Sequence, residues 1–312
     1  MNVEHGGSAH VLQLFDVSKR IGGREIVRQL NMSVRAGEVY GFLGPNGAGK
    51  TTTIRMIVGL IRPTRGAIRV CGHDVERDPV NAKRHLGAIV ENPEMYGYLT
   101  GRQNLLHYAR LAGVDRIEAR IERVAKRVGL EDRIDEKVKR YSLGMRQRLG
   151  VAQALIADPK LLVLDEPTNG LDPAGIREFR ELVRALAAEG LAVFVSSHLL
   201  SEVEQMCDRV AVLQQGRVIA EASVAELRAG AGSLLLRVSR WDEAASWLRA
   251  RGFDVEEKDG RLMVTRLDDA RVASLLRDLV GAGFDVYEAA RTGGLEQSFL
   301  ALTGAESGGD TP

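Results

Sequence analysis

The run Gly44, Pro45, Asn46, Gly47, Ala48, Gly49, Lys50, Thr51 sets glycines, a lysine and a hydroxyl residue at the spacing G-x-x-x-x-G-K-T. Glycines there let backbone N–H groups turn inward with no Cβ in the way, which makes a concave seat for phosphate oxygens. A strand-like run, VYGFL at 39–43, comes before it, and apolar residues at helical spacing, Ile54, Ile57, Val58 and Ile61, come after. The loop therefore opens a helix, whose first N–H groups and dipole favour an anion at the same place. Lys50 is placed to reach the β- and γ-phosphates of a nucleotide, and the Thr51 hydroxyl to bind Mg2+. Thr52 continues the same first turn and is counted with the loop.

A second stretch, LLVLDEP at 161–167, is four apolar residues followed by Asp165 and Glu166. A buried strand that ends in acid is odd for a core and natural for a metal site. Asp165 at the strand tip suits Mg2+, directly or through water, and Glu166 is positioned to orient and polarise an attacking water as general base. An isolated acidic pair would be read as a helix cap or a solvated turn; behind an apolar strand and downstream of a phosphate loop, the metal and base reading is preferred. A third strand, AVFVSS at 192–197, ends at His198, whose imidazole can hydrogen-bond the terminal phosphate or the water. The histidines at 5, 10, 73, 85 and 107 have no such setting and read as surface or structural residues.

The elements that must hold these side chains follow from hydrophobic periodicity. Strands are expected at 11–16 and 26–35 around a turn at Gly22 and Gly23, then at 39–43, 67–71, 86–90, 161–165 and 191–197. Helices are expected after Lys50, over one region from 101 to 128, after Gly144 up to Asp158, over 173–188, and over 199–206. Strands alternating with helices imply parallel pairing and an α/β core. A composition shift at 229–233, AGAGS, reads as a linker. Beyond it, strand 234–239, helix 242–251, strands 253–258 and 261–265 joined by Asp259 and Gly260, helix 269–280 and strand 284–289 spell βαββαβ, a ferredoxin-like order. A short helix at 295–302 and a disordered tail at 305–312 complete the expectation.

Composition narrows the function classes. The chain has 312 residues, 45% of them hydrophobic and 27% charged, with a net charge of +1. So balanced a charge supplies no global field for nucleic acid or an anionic membrane. The two cysteines, Cys71 and Cys207, make neither a metal spacing nor a disulfide framework and fit a reducing compartment as packed residues. No signal peptide is expected, and the longest apolar runs are strand-sized, well short of the ~20 residues that span a bilayer. Membrane work, if any, falls to another chain.

Two further motifs carry a family resemblance. YSLGMRQR at 141–148 stands just before a helix, and NGLDP at 169–173 follows the acidic pair. With the phosphate loop, LLVLDEP and His198 in this order, the chain resembles the ATP-binding subunits of ABC transporters over about residues 10–230. The resemblance implies an ABC-type P-loop nucleotide-binding domain with a helical signature subdomain at about 92–157, followed by the small domain at 233–304. It implies that Ser142, Gly144 and Met145 of the signature, and Asp172 of the D-loop, contact the nucleotide held by a second copy of the chain. ATP and Mg2+ are then buried between two protomers, and closing and opening of that homodimer drive a separate transmembrane permease from the cytoplasmic face of the membrane. Details of YGFLGPNGAGKTTTIRMIVGL, YSLGM and EPTNGLDPAGI are similar to bacitracin-resistance, lantibiotic-immunity and drug-export ATPases, which implies export of an antibiotic, peptide or lipid-like substrate.

Two positions depart from the family pattern. Glu91 stands where the family usually has a Gln that touches Mg2+, which implies a metal-side role for Glu91, as in lantibiotic-immunity relatives. Ile21 stands where many relatives stack an aromatic residue on adenine. In the stretch 92–101, Met95, Tyr96 and Tyr98 either contact the permease or pack their own loop. A soluble ABC ATPase acting on DNA or ribosomes is the alternative; one cassette with no heptad array and no basic stripe disfavours it. A nucleotide switch that does not hydrolyse is disfavoured by having both Glu166 and His198.

Overall fold

The computed structural model describes residues 10–226, 233–258, 260–265, 267 and 269–292. The chain divides into two compact units, Met1–Glu221 and Ala222–Pro312. The expected helix at 295–302, the tail at 305–312 and most of the expected linker lie outside the described residues.

The first unit is built on a six-stranded sheet in the order β10–β9–β3–β8–β7–β6, with β3 Val39–Leu43, β6 Leu86–Ile89, β7 Leu161–Asp165, β8 Ala192–Ser197, β9 Arg209–Gln214 and β10 Arg217–Ser223. β9, β3, β8, β7 and β6 pair in parallel. Every residue of β3, β7 and β8 is buried, which is why these runs read as unbroken apolar stretches rather than alternating ones. One face carries Tyr40, Phe42, Leu161, Val163 and Phe194, which share a core with a second, antiparallel sheet and with α1 Lys50–Ile57. That second sheet has the order β2–β1–β4–β5, with β1 His10–Ile21, β2 Arg24–Arg35, β4 Arg65–Val70 and β5 His73–Asp74. On the other face lie α6 Pro173–Ala188 and α7 Leu200–Met206. α7 crosses so close that a Cβ on Gly41 would sit 2.9 Å from both Cys207 Sγ and Val203 Cγ1.

Three helices, α3 Gly101–Leu111, α4 Ile117–Arg127 and α5 Leu143–Leu155, pack on one another, and α5 packs on β6. The single helical region expected at 101–128 is two helices. The chain breaks at Gly113 and Arg116, with φ of 62° and 51°, a left-handed conformation that no α-helix continues through. The sequence reading also missed α2 Pro79–Arg84, β5 and the β9–β10 pair. The link between β9 and β10 is a two-residue turn, Gln215 and Gly216, both with positive φ (47° and 79°), as hairpin turns of the primed type require. Strands 10–35 and 65–74 do not enter the parallel sheet, contrary to the simple alternating pattern; they form the antiparallel layer.

The second unit runs β11 Ser233–Val238, α8 Trp241–Arg249, β12 Val255–Lys258, β13 Arg261–Val264, α9 Asp269–Gly281 and β14 Val286–Thr292. Its strand order, β12–β13–β11–β14 with antiparallel pairing throughout, is the ferredoxin-like one. Leu234, Leu236 and Val238 alternate inward from β11 and meet Ala244, Leu248, Leu275 and Leu279 from the two helices.

Candidate functional site

The register of the parallel sheet fixes where the chemistry lies. Leu43 of β3 pairs with Ser197 of β8, and Asp165 of β7 pairs with Ser196 of β8. The three strands thus end level with one another. The loop after β3, Glu166 after β7 and His198 after β8 all leave the sheet at one carboxyl edge, the place where open α/β sheets present ligands.

The loop from Gly44 to Gly49 is held by contacts that only glycine permits. A Cβ on Gly44 would lie 2.4 Å from the Leu213 carbonyl oxygen, and one on Gly49 would lie 2.9 Å from the Ile26 carbonyl oxygen. Gly47 and Gly49 also take positive φ, 81° and 109°. Pro45, Asn46 and Gly47 are exposed at the crest, whereas Ala48, Gly49 and Lys50 are buried. Gly49 caps α1 without any side-chain hydrogen bond, so the first turn, with Thr51 and Thr52, keeps backbone donors for another partner. Lys50 Nζ donates to the carbonyl oxygens of Gly44 (2.6 Å) and Pro45 (3.3 Å), which ties the loop's base to its own helix.

Three of the expected residues converge. Lys50 Nζ lies 3.1 Å from Glu166 Oε1, and His198 Nδ1 lies 2.8 Å from Glu166 Oε2. The Glu166 side chain is 18% exposed, so water reaches it while the protein surrounds most of it. Its backbone is left-handed, φ 48°, a conformation costly for a residue with a Cβ. Glu166 N–H donates to Ser196 Oγ (2.9 Å), and Ser196 Oγ–H donates to Asp165 Oδ1 (2.6 Å), so one serine of β8 fixes both acids of the strand beside it. Behind them the buried Glu202 accepts from Thr168 Oγ1 (2.7 Å) and Ser197 Oγ (2.9 Å) through one oxygen, Oε2. Ser196 and Glu202 were not among the sequence candidates. The serines are legible only as the polar end of an apolar strand, and Glu202 as one acid among several near α7.

A group carrying several phosphates fits this edge: the loop opens α1 with no side-chain cap on its first N–H groups, beside the buried Lys50 ammonium. Mg2+ fits through hard oxygen donors, the Thr51 hydroxyl and the Asp165 carboxylate. Among the described residues no group of three or more His, Cys, Asp or Glu is placed to hold a metal, so much of its coordination would come from phosphate and water. Glu91 leaves the sheet at the same carboxyl edge, since Ile89 of β6 pairs with Leu164 of β7. It stands beyond the end of β6 with φ 67°, 63% exposed, and pairs with Arg55 of α1 at 2.5 Å. Ile21 is half exposed at the end of β1, a side chain available to a flat ligand but without an aromatic face.

Ser142, Gly144, Met145 and Asp172 are gathered in a second cleft, lined also by Leu143 and Leu171. Ser142 caps α5, accepting from Met145 N–H (3.2 Å), and Asp172 caps α6, accepting from Gly175 N–H (2.9 Å). Tyr141, just before, is buried and donates to the Arg133 carbonyl (2.7 Å); burial pushes its phenol up to about 12. In the stretch 92–101, Tyr96 and Tyr98 are exposed with ring centroids 5.8 Å apart, Tyr96 also meets His107 edge-on at 5.7 Å, and Met95 is half-buried. Among the described residues no helix is long and apolar enough to cross a membrane.

The chain is similar to known ATP-binding proteins. Residues 27–169 match the family model described as ABC transporter. An uncharacterized ABC transporter ATP-binding protein of Bacillus subtilis (strain 168), YhcH, is 48% identical over 298 residues, 94% of this chain and 96% of that protein. The bacitracin transport ATP-binding protein BcrA of Bacillus licheniformis is 47% identical over 212 residues, 68% of this chain and 69% of that one. A solved ATP-binding subunit of an ABC transporter superposes with a TM-score of 0.61 at 32% identity, over 70% of this chain and 92% of its own.

Proposed function

The chain belongs to the ATP-binding proteins of ABC transporters, and from that premise we propose that it hydrolyses ATP to drive a separate membrane permease that exports an antibiotic, peptide or lipid-like substrate. The observation that carries the hydrolytic part is the convergence of Lys50, Glu166 and His198 on the edge that also bears the glycine loop. The substrate class rests on likeness to a bacitracin transport protein.

Each residue has a distinct task. Backbone N–H groups of 44–52 hold the phosphates, and Lys50 moves its ammonium from Glu166 to the β- and γ-oxygens as they arrive. That frees Glu166 to accept a proton from the attacking water, with His198 holding its other carboxylate oxygen in place. Thr51 and Asp165 would hold Mg2+, which supplies charge neutralisation on the phosphates when bound. Ser142, Gly144, Met145 and Asp172 contact the nucleotide of a second protomer, so closure of a homodimer depends on the terminal phosphate. Residues 92–101 meet the permease through Tyr96 and Tyr98, and the protein is peripheral on the cytoplasmic face.

Glu166→Gln tests the assignment. The variant is expected to bind ATP, to dimerise with it, and to lose turnover by at least ~100-fold, as loss of a general base does. Full turnover would refute Glu166 as base. Purification from membranes, with identification of the multi-span protein that accompanies the chain, tests the permease.

A further inference from the structure

Glu202 touches none of the groups that contact a nucleotide, yet it is buried between the two segments that carry the base and its histidine. Thr168 lies two residues beyond Glu166, and Ser197 lies immediately before His198. Both hydroxyls donate to the same oxygen of Glu202, at 2.7 and 2.9 Å, and all three side chains are buried (4%, 1% and 7% exposed). Each segment is folded around its hydroxyl residue. Leu171 N–H donates to the Thr168 carbonyl and Asn169 N–H to the Glu166 carbonyl, so 166–171 is a compact turn. Leu199 N–H donates to Ser197 Oγ, and Glu202 N–H returns to the Leu199 carbonyl, so the first turn of α7 is pinned to the tip of β8.

We propose that Glu202 is a positioning residue for ATP hydrolysis: its carboxylate clamps the turn after Glu166 to the strand end before His198 and so sets the distance between base and imidazole. The inference rests on the roles proposed above for Glu166 and His198. The physical reason is directional. Ser196 fixes Asp165 and the backbone of Glu166 from the sheet side, but nothing in that contact orients the outgoing turn. A buried carboxylate accepting two hydroxyls does so, because leaving either donor unpaired away from water is costly. The phosphate loop is anchored without the Glu202 carboxylate, by Lys50 Nζ on the Gly44 carbonyl and by a main-chain bond from Gly44 N–H to the Ser197 carbonyl, which needs no side chain. Loss of the clamp is therefore felt in the chemical step and not in nucleotide binding.

The test is steady-state ATP hydrolysis by the full-length protein, with nucleotide affinity measured separately on the same preparations. Thr168→Val keeps the shape of the buried side chain and removes one donor; Glu202→Leu keeps an apolar side chain of similar volume and removes both acceptor oxygens, whereas Gln would retain an oxygen able to accept from both hydroxyls. Each is expected to lower kcat on the order of 10-fold, the scale of a small misplacement of a reacting group, with KM and Kd for ATP within about twofold. The double variant is expected to be no worse than either single one, since one interaction is lost only once. Thr168→Ser is expected to restore kcat, which a purely packing role would not predict. Thr168→Val and Glu202→Leu that keep kcat within about twofold would overturn the clamp, as would strictly multiplicative losses in the double variant. Glu166→Gln measured alongside separates the two readings. If it stops turnover while Thr168→Val does not, only the clamp falls; if it turns over normally, the base assignment falls first.

Discussion

Glycine's lack of a side chain decides the phosphate loop residue by residue. Gly44→Ala would drive a methyl group to 2.4 Å from the Leu213 carbonyl oxygen, and backbone there cannot swing aside. Loss of ATP binding with destabilisation of about 1–3 kcal/mol is expected, checked by titration with nucleotide and by denaturant unfolding. The Arg55–Glu91 pair behaves oppositely. Both side chains are largely exposed, so Arg55→Ala is expected to cost under ~1 kcal/mol of stability, measurable by the same unfolding assay. Residues whose role is set by the backbone, such as Gly44 and Gly49, are legible in the sequence because no other residue type satisfies the geometry. Residues whose role is set by a distant partner are not. Nothing at Glu91 announces Arg55, thirty-six positions away, and nothing at Glu202 announces Thr168.

At the scale of elements, strands buried on both faces are legible as apolar runs, which is why VYGFL, LLVLD and AVFVSS stand out. The β9–β10 pair escapes the same reading although β9 holds the four-residue apolar run VAVL, because that run ends in no chemistry-bearing residue and β10 is only half-buried. The break between α3 and α4 escapes it because Gly113 is tolerated within a helical pattern, whereas the left-handed Arg116 has no compositional signal. Helix ends are more legible. Asp172 and Ser142 stand where caps are preferred, and Asp172→Ala is expected to cost about 1 kcal/mol of stability by freeing the Gly175 N–H. The loop that follows α4 is held differently, through Arg102 of α3. Hydrogen bonds from Arg102 hold the Asp135 carboxyl below its usual range. A carboxylate with a lowered folded pKa contributes stability above its unfolded value and loses it as pH falls through the folded one. The stability difference between wild type and Arg102→Ala is therefore expected to be present at neutral pH and to vanish in strong acid below pH ~3, as read by unfolding at several pH values.

For the whole molecule, each unit has a core of its own: one spans two sheets and α1, the other lies under the ferredoxin-like sheet. The strand order of the second unit's sheet is legible from the βαββαβ succession alone, since right-handed crossovers leave few alternatives. The antiparallel layer of the first unit is less so, because its strands come from both sides of the phosphate loop in sequence. Burial also partitions the two thiols. Cys207 is enclosed and its thiol is pushed well above the ordinary range by desolvation, whereas Cys71 is half-buried and raised for the same reason to a smaller degree. Alkylation of the native protein near pH 8 is expected to label Cys71 slowly and Cys207 only on unfolding, checked by mass spectrometry of the labelled chain.

The level ends of β3, β7 and β8 carry a consequence for how the protein is made. Lys50, Glu166 and His198 are far apart along the chain and become neighbours only when two later strands have inserted beside an earlier one. Such non-local parallel pairing is slow to form. During synthesis the glycine loop emerges well before Glu166, so on the proposed assignment a nascent chain carries a phosphate seat with no base beside it. A nucleotide that binds only after the edge has closed would act as a folding ligand, adding about 2.7 kcal/mol at a hundredfold excess over its Kd.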